Sequence, residues 1–147
     1  PVAWQDIMPT VLDAAGIDIP DACTGKSLVP IITGEKSSVR DILHGEHAKC
    51  YEGDFANHFL TDGNMKYIWF SESGREQLFD LSSDPNELHN LASNTNNDGQ
   101  LASWRAHLVD VLDKRPEGFV EKGKLKAGRA HEAVMPGYDP DNYFDFM

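Results

Sequence analysis

Four apolar runs, Ile42 to Lys49, Phe55 to Thr61, Met65 to Ser71 and Gln77 to Leu81, recur at regular spacing and read as β-strands. The second and third are joined by Asp62-Gly63-Asn64, a tight hairpin signal, and the third and fourth by Glu72-Ser73-Gly74-Arg75. Alternation places Tyr67 and Trp69 on one face of the third strand and Ile68 and Phe70 on the other. A strand that is apolar on both faces is expected at the centre of a sheet, covered on two sides. The cover is Gln100 to Lys114, where Leu101, Trp104, Leu108, Val111 and Leu112 form a helical stripe opposite Arg105, Asp110 and Lys114. The predicted fold class is therefore α+β: a small four-stranded antiparallel sheet packed by a C-terminal helix.

The flanks behave differently. From Trp4 to Ala15 the residues Ile7, Met8, Val11, Leu12 and Ala15 share one helical stripe, and Gly16 stands where a left-handed residue closes a helix. Residues 17–38 carry Pro20, Gly25, Pro30 and Gly34 around the short apolar turn Leu28 to Ile32, as expected of a linker wrapped on a larger surface. Three segments follow: residues 1–38, a helix and linker belonging to a larger α/β domain; 39–115, the sheet with its covering helix; and 116–147, an extended or partly disordered tail rich in Gly and Pro. A first residue of Pro1 rather than Met points to a start further upstream.

Between the sheet and the covering helix lies the stretch from Glu76 to Leu91. It reads as a buried strand, Leu78 on one face and Leu81 on the other, running into a helix start. Asp84 is the expected N-cap, Pro85 the first helical residue, and Glu87 the partner that completes a capping box.

Three separated motifs together resemble the late part of the sulfatase family: Asp6-Ile7-Met8-Pro9-Thr10 with Ala15-Gly16-Ile17, then Gly25-Lys26-Ser27-Leu28, then Leu78-Phe79-Asp80-Leu81 through Asp84-Pro85 to Asn90-Leu91. The resemblance covers roughly the first two thirds of the chain. It implies the C-terminal subdomain of an alkaline-phosphatase-like α/β sulfatase fold, part of a metal-dependent hydrolase of sulfate esters. In that family the nucleophile is a formylglycine made from Cys or Ser within C/S-x-P/A-x-R, and a divalent cation, usually calcium, offsets charge on the sulfate oxygens. Cys23 opens Cys-Thr-Gly-Lys-Ser and Cys50 opens Cys-Tyr-Glu-Gly-Asp, so neither fits. Ser83 opens Ser-Asp-Pro-Asn-Glu, which puts Glu87 where Arg is required. No catalytic residue and no metal ligand is assigned to this chain, and the chain alone is expected to be inactive. Calcium is expected in the missing part of the enzyme and none on this chain. The implied partners are the N-terminal catalytic domain of the same polypeptide and a sulfated small molecule or glycan; family resemblance also implies export to the periplasm or the cell exterior.

Composition bounds the alternatives. A formal net charge of −11 argues against a binder that tracks nucleic-acid phosphates. No apolar run approaches the ~20 residues of a membrane span. Gly25-Lys26-Ser27 lacks the glycine that a phosphate-binding loop needs at position 20, which is Pro20. The two cysteines fit no metal spacing, and a disulfide or two free thiols are both compatible with them.

Four residues are candidates for substrate contact: His44, His47, His58 and Lys66. In His44-Gly45-Glu46-His47 alternation puts His44 and Glu46 on one face and His47 on the other, so these three do not converge on one metal ion. They read foremost as ordinary polar strand residues, next as the rim of a pocket made with the missing part, and last as a metal site, and His58 on the neighbouring strand reads the same three ways. Lys66 carries its charge to solvent past an apolar stem or holds an anionic substrate group. Asp139 and Asp141 read as a solvated turn rather than a cation site. Two rival functions stand beside the sulfatase reading: a self-contained glycan-binding or interaction module, and a fragment of a related phosphatase or phosphodiesterase.

Overall fold

The computed structural model describes residues 1–49 and 53–129. They form two compact units, one of residues 1–43 with 61–64, the other of 44–60 with the chain from 65 onward.

In the first unit a 3-10 turn, Trp4–Asp6, leads into helix α1, Ile7–Ala14. The predicted helix is present, with a tighter first turn. Pro9 lies in the first turn of α1, where a missing N–H is no loss, and it is buried. Gly16 ends the helix at φ +69°, and Ile17 N–H donates back to Leu12 O over 2.9 Å. The carboxylate of Asp6 is wholly buried. It accepts from Ala3 N (2.7 Å), Lys26 N (2.9 Å) and both terminal nitrogens of Arg40 (2.5 Å each). Thr10 donates its hydroxyl to Asp6 O (2.5 Å) and accepts from Leu28 N (2.9 Å), just ahead of the single-turn helix α2, Val29–Ile32. Residues 17–38 are thus more than a wrapped linker: Asp6 and Thr10 fasten them at Lys26 and Leu28. Those bonds occupy the polar residues of the Asp6-to-Thr10 motif, while apolar residues in and beside it face outward, with Trp4 89%, Ile7 52%, Met8 59% and Val11 61% exposed.

The second unit is built on a four-stranded antiparallel sheet of order β1-β2-β3-β4, with β1 Leu43–His47, β2 Asn57–Thr61, β3 Met65–Phe70 and β4 Glu76–Asp80. β3 is interior, as its two apolar faces require. It pairs with β4 in the register Tyr67↔Leu78 and Trp69↔Glu76. Tyr67, Trp69, Leu60 and Leu78 are buried together with Leu101, Trp104, Leu108 and Leu112 of helix α3, Asp98–Leu112. Val111, expected in that stripe, is 42% exposed, because positions 101, 104, 108 and 112 already define the buried line. Glu76 joins helix to sheet: it accepts from Tyr67 Oη (2.5 Å) and from Arg105 Nε and Nη2 (2.8 and 2.7 Å). Burial pushes the Glu76 carboxyl up, but the hydrogen bonds from Arg105 and Tyr67 hold it below its ordinary value.

Past α3 the sequence predicts an extended or partly disordered tail over 116–147, of which residues 130–147 lie outside the described residues. Instead Val120–Glu121 (β5) and Lys124–Leu125 (β6) form a two-stranded hairpin, and Phe119 is fully buried. The turn residues Lys122 and Gly123 both have positive φ, +53° and +72°, as a two-residue hairpin turn asks. Asp139, Asp141 and Cys50 lie outside the described residues; Cys23 carries a free thiol 3.9 Å from the Met8 sulfur.

The stretch after β4 also departs from expectation. No helix starts at Asp84. Glu87 has φ +56°, which a right-handed helix excludes, and its carboxylate goes to Lys66 Nζ (2.9 and 3.0 Å) rather than to a backbone cap. The polar residues staple a turn. Asp80 accepts from Ser82 N and Ser83 Oγ, and Asp84 from His89 N. Asn90 Oδ1 then accepts from Leu78 N (3.0 Å) while Leu91 N donates to Leu78 O (2.8 Å), which covers the outer edge of β4.

Candidate functional site

β1 and β2 bring three of the chain's ligand-capable side chains together. His44 and Glu46 share a face of β1, as alternation predicts, and the side chain that meets them is His58 from β2 rather than His47. His44 Nε2 and His58 Nδ1 are 3.2 Å apart, and His58 Nδ1 lies 3.4 Å from Glu46 Oε2. On the other face of the two strands Gly45 makes room for the Phe59 ring, which a Cβ there would approach to 2.2 Å.

His58 has no solvent exposure. Its ring lies parallel to Trp69 at 6.2 Å and meets Phe119 edge-on at 4.7 Å, so its orientation is fixed by packing. Arg115, three residues past α3, reaches Glu46 Oε2 with Nη1 at 3.0 Å and clasps Glu117 with Nε and Nη2. Hydrogen bonding to Glu117, with the added charge of Glu46, holds the Arg115 guanidinium above its ordinary value. Sequence reasoning missed Arg115 and Phe119, which approach from the far end of α3. It had the signal for His58, since alternation along β2 puts His58 and Leu60 on one face, but the pairing with β1 is not written in either strand.

The other two candidates sit elsewhere. His47 is exposed on the opposite face of β1. Lys66 is held by Glu87 and lies 5.5 Å from the Phe59 ring centroid. The Lys66 and Glu87 side chains are 25% and 33% exposed, so the pair contributes about 0.5 kcal/mol. Lys66→Ala is expected to move a urea unfolding midpoint only slightly; a loss of kcat/KM in the enzyme that contains this chain would assign Lys66 to substrate, and an unchanged value would leave it a surface pair.

Calcium does not fit this cluster. It takes six to eight oxygen ligands, whereas two of the three donors here are imidazole nitrogens. No catalytic step is therefore derived through calcium on these residues. Among the described residues no helix is long and apolar enough to cross a membrane.

The family described as N-sulphoglucosamine sulphohydrolase, C-terminal, matches residues 2–114. The chain belongs to this family. An arylsulfatase of Clostridium perfringens is 41% identical over 124 residues, which are 84% of this chain and 25% of that protein. Arylsulfatase K of Xenopus laevis is 33% identical over 135 residues, 86% of this chain and 23% of that protein. Among solved structures, a 2-O GAG sulfatase superposes with a TM-score of 0.68 at 27% identity, over 87% of this chain and 30% of the other. The chain thus spans about a quarter of the length of these curated relatives. It is a sulfatase C-terminal portion, with the sheet and covering helix of that subdomain in the alkaline-phosphatase-like fold. The sequence motifs that carried the resemblance serve this sulfatase portion as fasteners: Asp6 and Thr10 in the first unit, Asn90 in the second.

Proposed function

We propose that this chain serves a sulfate-ester hydrolase by docking on its α/β catalytic part and closing one wall of the substrate pocket. The observation that carries the reading is the outward apolar stripe of Trp4, Ile7, Met8 and Val11, on a helix whose polar residues are already committed to the unit's own interior. Exposed apolar area of that kind marks an interaction surface. The nucleophile, a formylglycine, and the divalent cation, calcium, belong to the part beyond this chain. The substrate is a sulfated small molecule or glycan, and His44, His47 and His58 stand on the subdomain that would face it. The similarity to arylsulfatases supports the reaction class.

Two assays test this. The purified 147-residue chain, supplied with calcium, is expected to hydrolyse no aryl sulfate, and turnover above a heat-treated control would overturn the reading. In the enzyme that contains it, Trp4→Asp with Val11→Asp is expected to abolish sulfatase activity while leaving the unfolding midpoint of the isolated chain nearly unchanged. Unimpaired activity would point to a self-contained module. Running aryl phosphate beside aryl sulfate separates the phosphatase alternative.

A further inference from the structure

The geometry points to a transition-metal site of the zinc class at His44, Glu46 and His58. Tetrahedral coordination with bonds of about 2.0–2.1 Å sets neighbouring donor atoms roughly 3.3 Å apart. The observed separations, 3.2 Å from His44 Nε2 to His58 Nδ1 and 3.4 Å from His58 Nδ1 to Glu46 Oε2, are of that size. All three donors lie within 4.8 Å of one another. Two imidazoles with one carboxylate are a donor set that zinc accepts and that calcium and magnesium do not prefer.

Two further features suit a metal. The ring of His58 is held by Trp69 and Phe119, so the buried ligand is positioned before any ion arrives. Arg115 bonds to Glu46 Oε2 from outside the cluster, an outer-shell contact that orients the ligating carboxylate. His44 and Glu46 retain solvent access, which leaves the fourth position of a bound ion open to water. Bound there, the metal would tie β1 to β2 and, through Glu46 and Arg115, to the segment after α3. Binding takes both rings as neutral imidazoles, so the proton between His44 Nε2 and His58 Nδ1 moves to the other nitrogen of the ring that carries it.

The test is zinc titration of the full chain after chelator treatment, followed by isothermal calorimetry and thermal unfolding. The expected result is one zinc per chain and a rise in Tm that equal calcium or magnesium does not give. His44→Ala and Glu46→Gln should each weaken zinc binding at least tenfold while the chain stays folded by circular dichroism, and substitution of cobalt should give the visible absorption of a tetrahedral site. His47→Ala, on the opposite face, should bind as the parent does. Zinc binding that survives His44→Ala, or that is lost in His47→Ala, would overturn the assignment, as would a Tm unmoved by zinc. His58→Gln is reserved for a stability control, because that side chain is also core.

Discussion

Asp6→Ala is expected to unfold the first unit or bring it close to unfolding. The substitution leaves the Arg40 guanidinium, whose side chain is 8% exposed, without its carboxylate, and strips acceptors from Ala3 N and Lys26 N. Breaking a buried ion pair from one side costs about 3–5 kcal/mol, a large share of the 5–15 kcal/mol that holds an ordinary domain together. Asp6→Asn should recover little, because its NH2 group would face a guanidinium that has only donors to offer. The hydrogen bonds from Arg40, opposed by burial and supported by the backbone donors, hold the Asp6 carboxyl far below the usual carboxylate range. A depressed folded-state pKa contributes stability that is fully present above the unfolded value, about 3.9, and is lost as pH falls below it. The urea midpoint of the parent should therefore drop on acidification below about pH 4, and Asp6→Ala should remove this group's share of that slope. A midpoint within 1 kcal/mol of the parent at neutral pH would refute the role given to Asp6.

Gly25→Ala should be nearly as damaging for a steric reason. A Cβ at position 25 would lie 1.9 Å from Gln5 O, 2.4 Å from Gln5 C and 2.9 Å from Asp6 N. All three are backbone atoms, so no side-chain rotation relieves the clash, and the chain at 24–27 must back away from α1. That movement pulls Lys26 N off Asp6 Oδ1. Overpacking costs about 1–3 kcal/mol where side chains can yield, and this site is expected at or above the upper end. Gly16→Ala is the instructive comparison: nothing lies within 4 Å, and only its φ of +69° resists, at about 1 kcal/mol. Measured midpoints in the order parent, Gly16→Ala, Gly25→Ala would support the distinction; equal losses at the two glycines would contradict it.

What the sequence made legible was whatever repeats along one element. The alternation in Met65–Phe70 and the stripe on α3 located the core, and Gly16 located a helix end. What stayed illegible depends on which side chain wins a partner across the fold. Glu87 has the spacing of a capping residue, yet Lys66 takes it, and Asn90 returns to Leu78, so the local capping signal loses to two tertiary bonds. Lys122-Gly123 is an ordinary hairpin turn, hidden among neighbouring glycines and prolines that read as unstructured chain. The candidate site was half visible: His44 with Glu46 follows from alternation, whereas His58 and Arg115 join them through strand pairing and the exit direction of α3.

The return of Asn90 and Leu91 to β4 also orders events during synthesis. Until residue 91 has emerged from the ribosome, Leu78 presents its N–H and C=O to any other nascent chain. Once it has emerged, the short intervening loop closes at small entropic cost, since closure entropy grows only logarithmically with length. The polar residues of 80–89, which bind no substrate in this account, shorten the interval during which the newborn sheet is open to its neighbours.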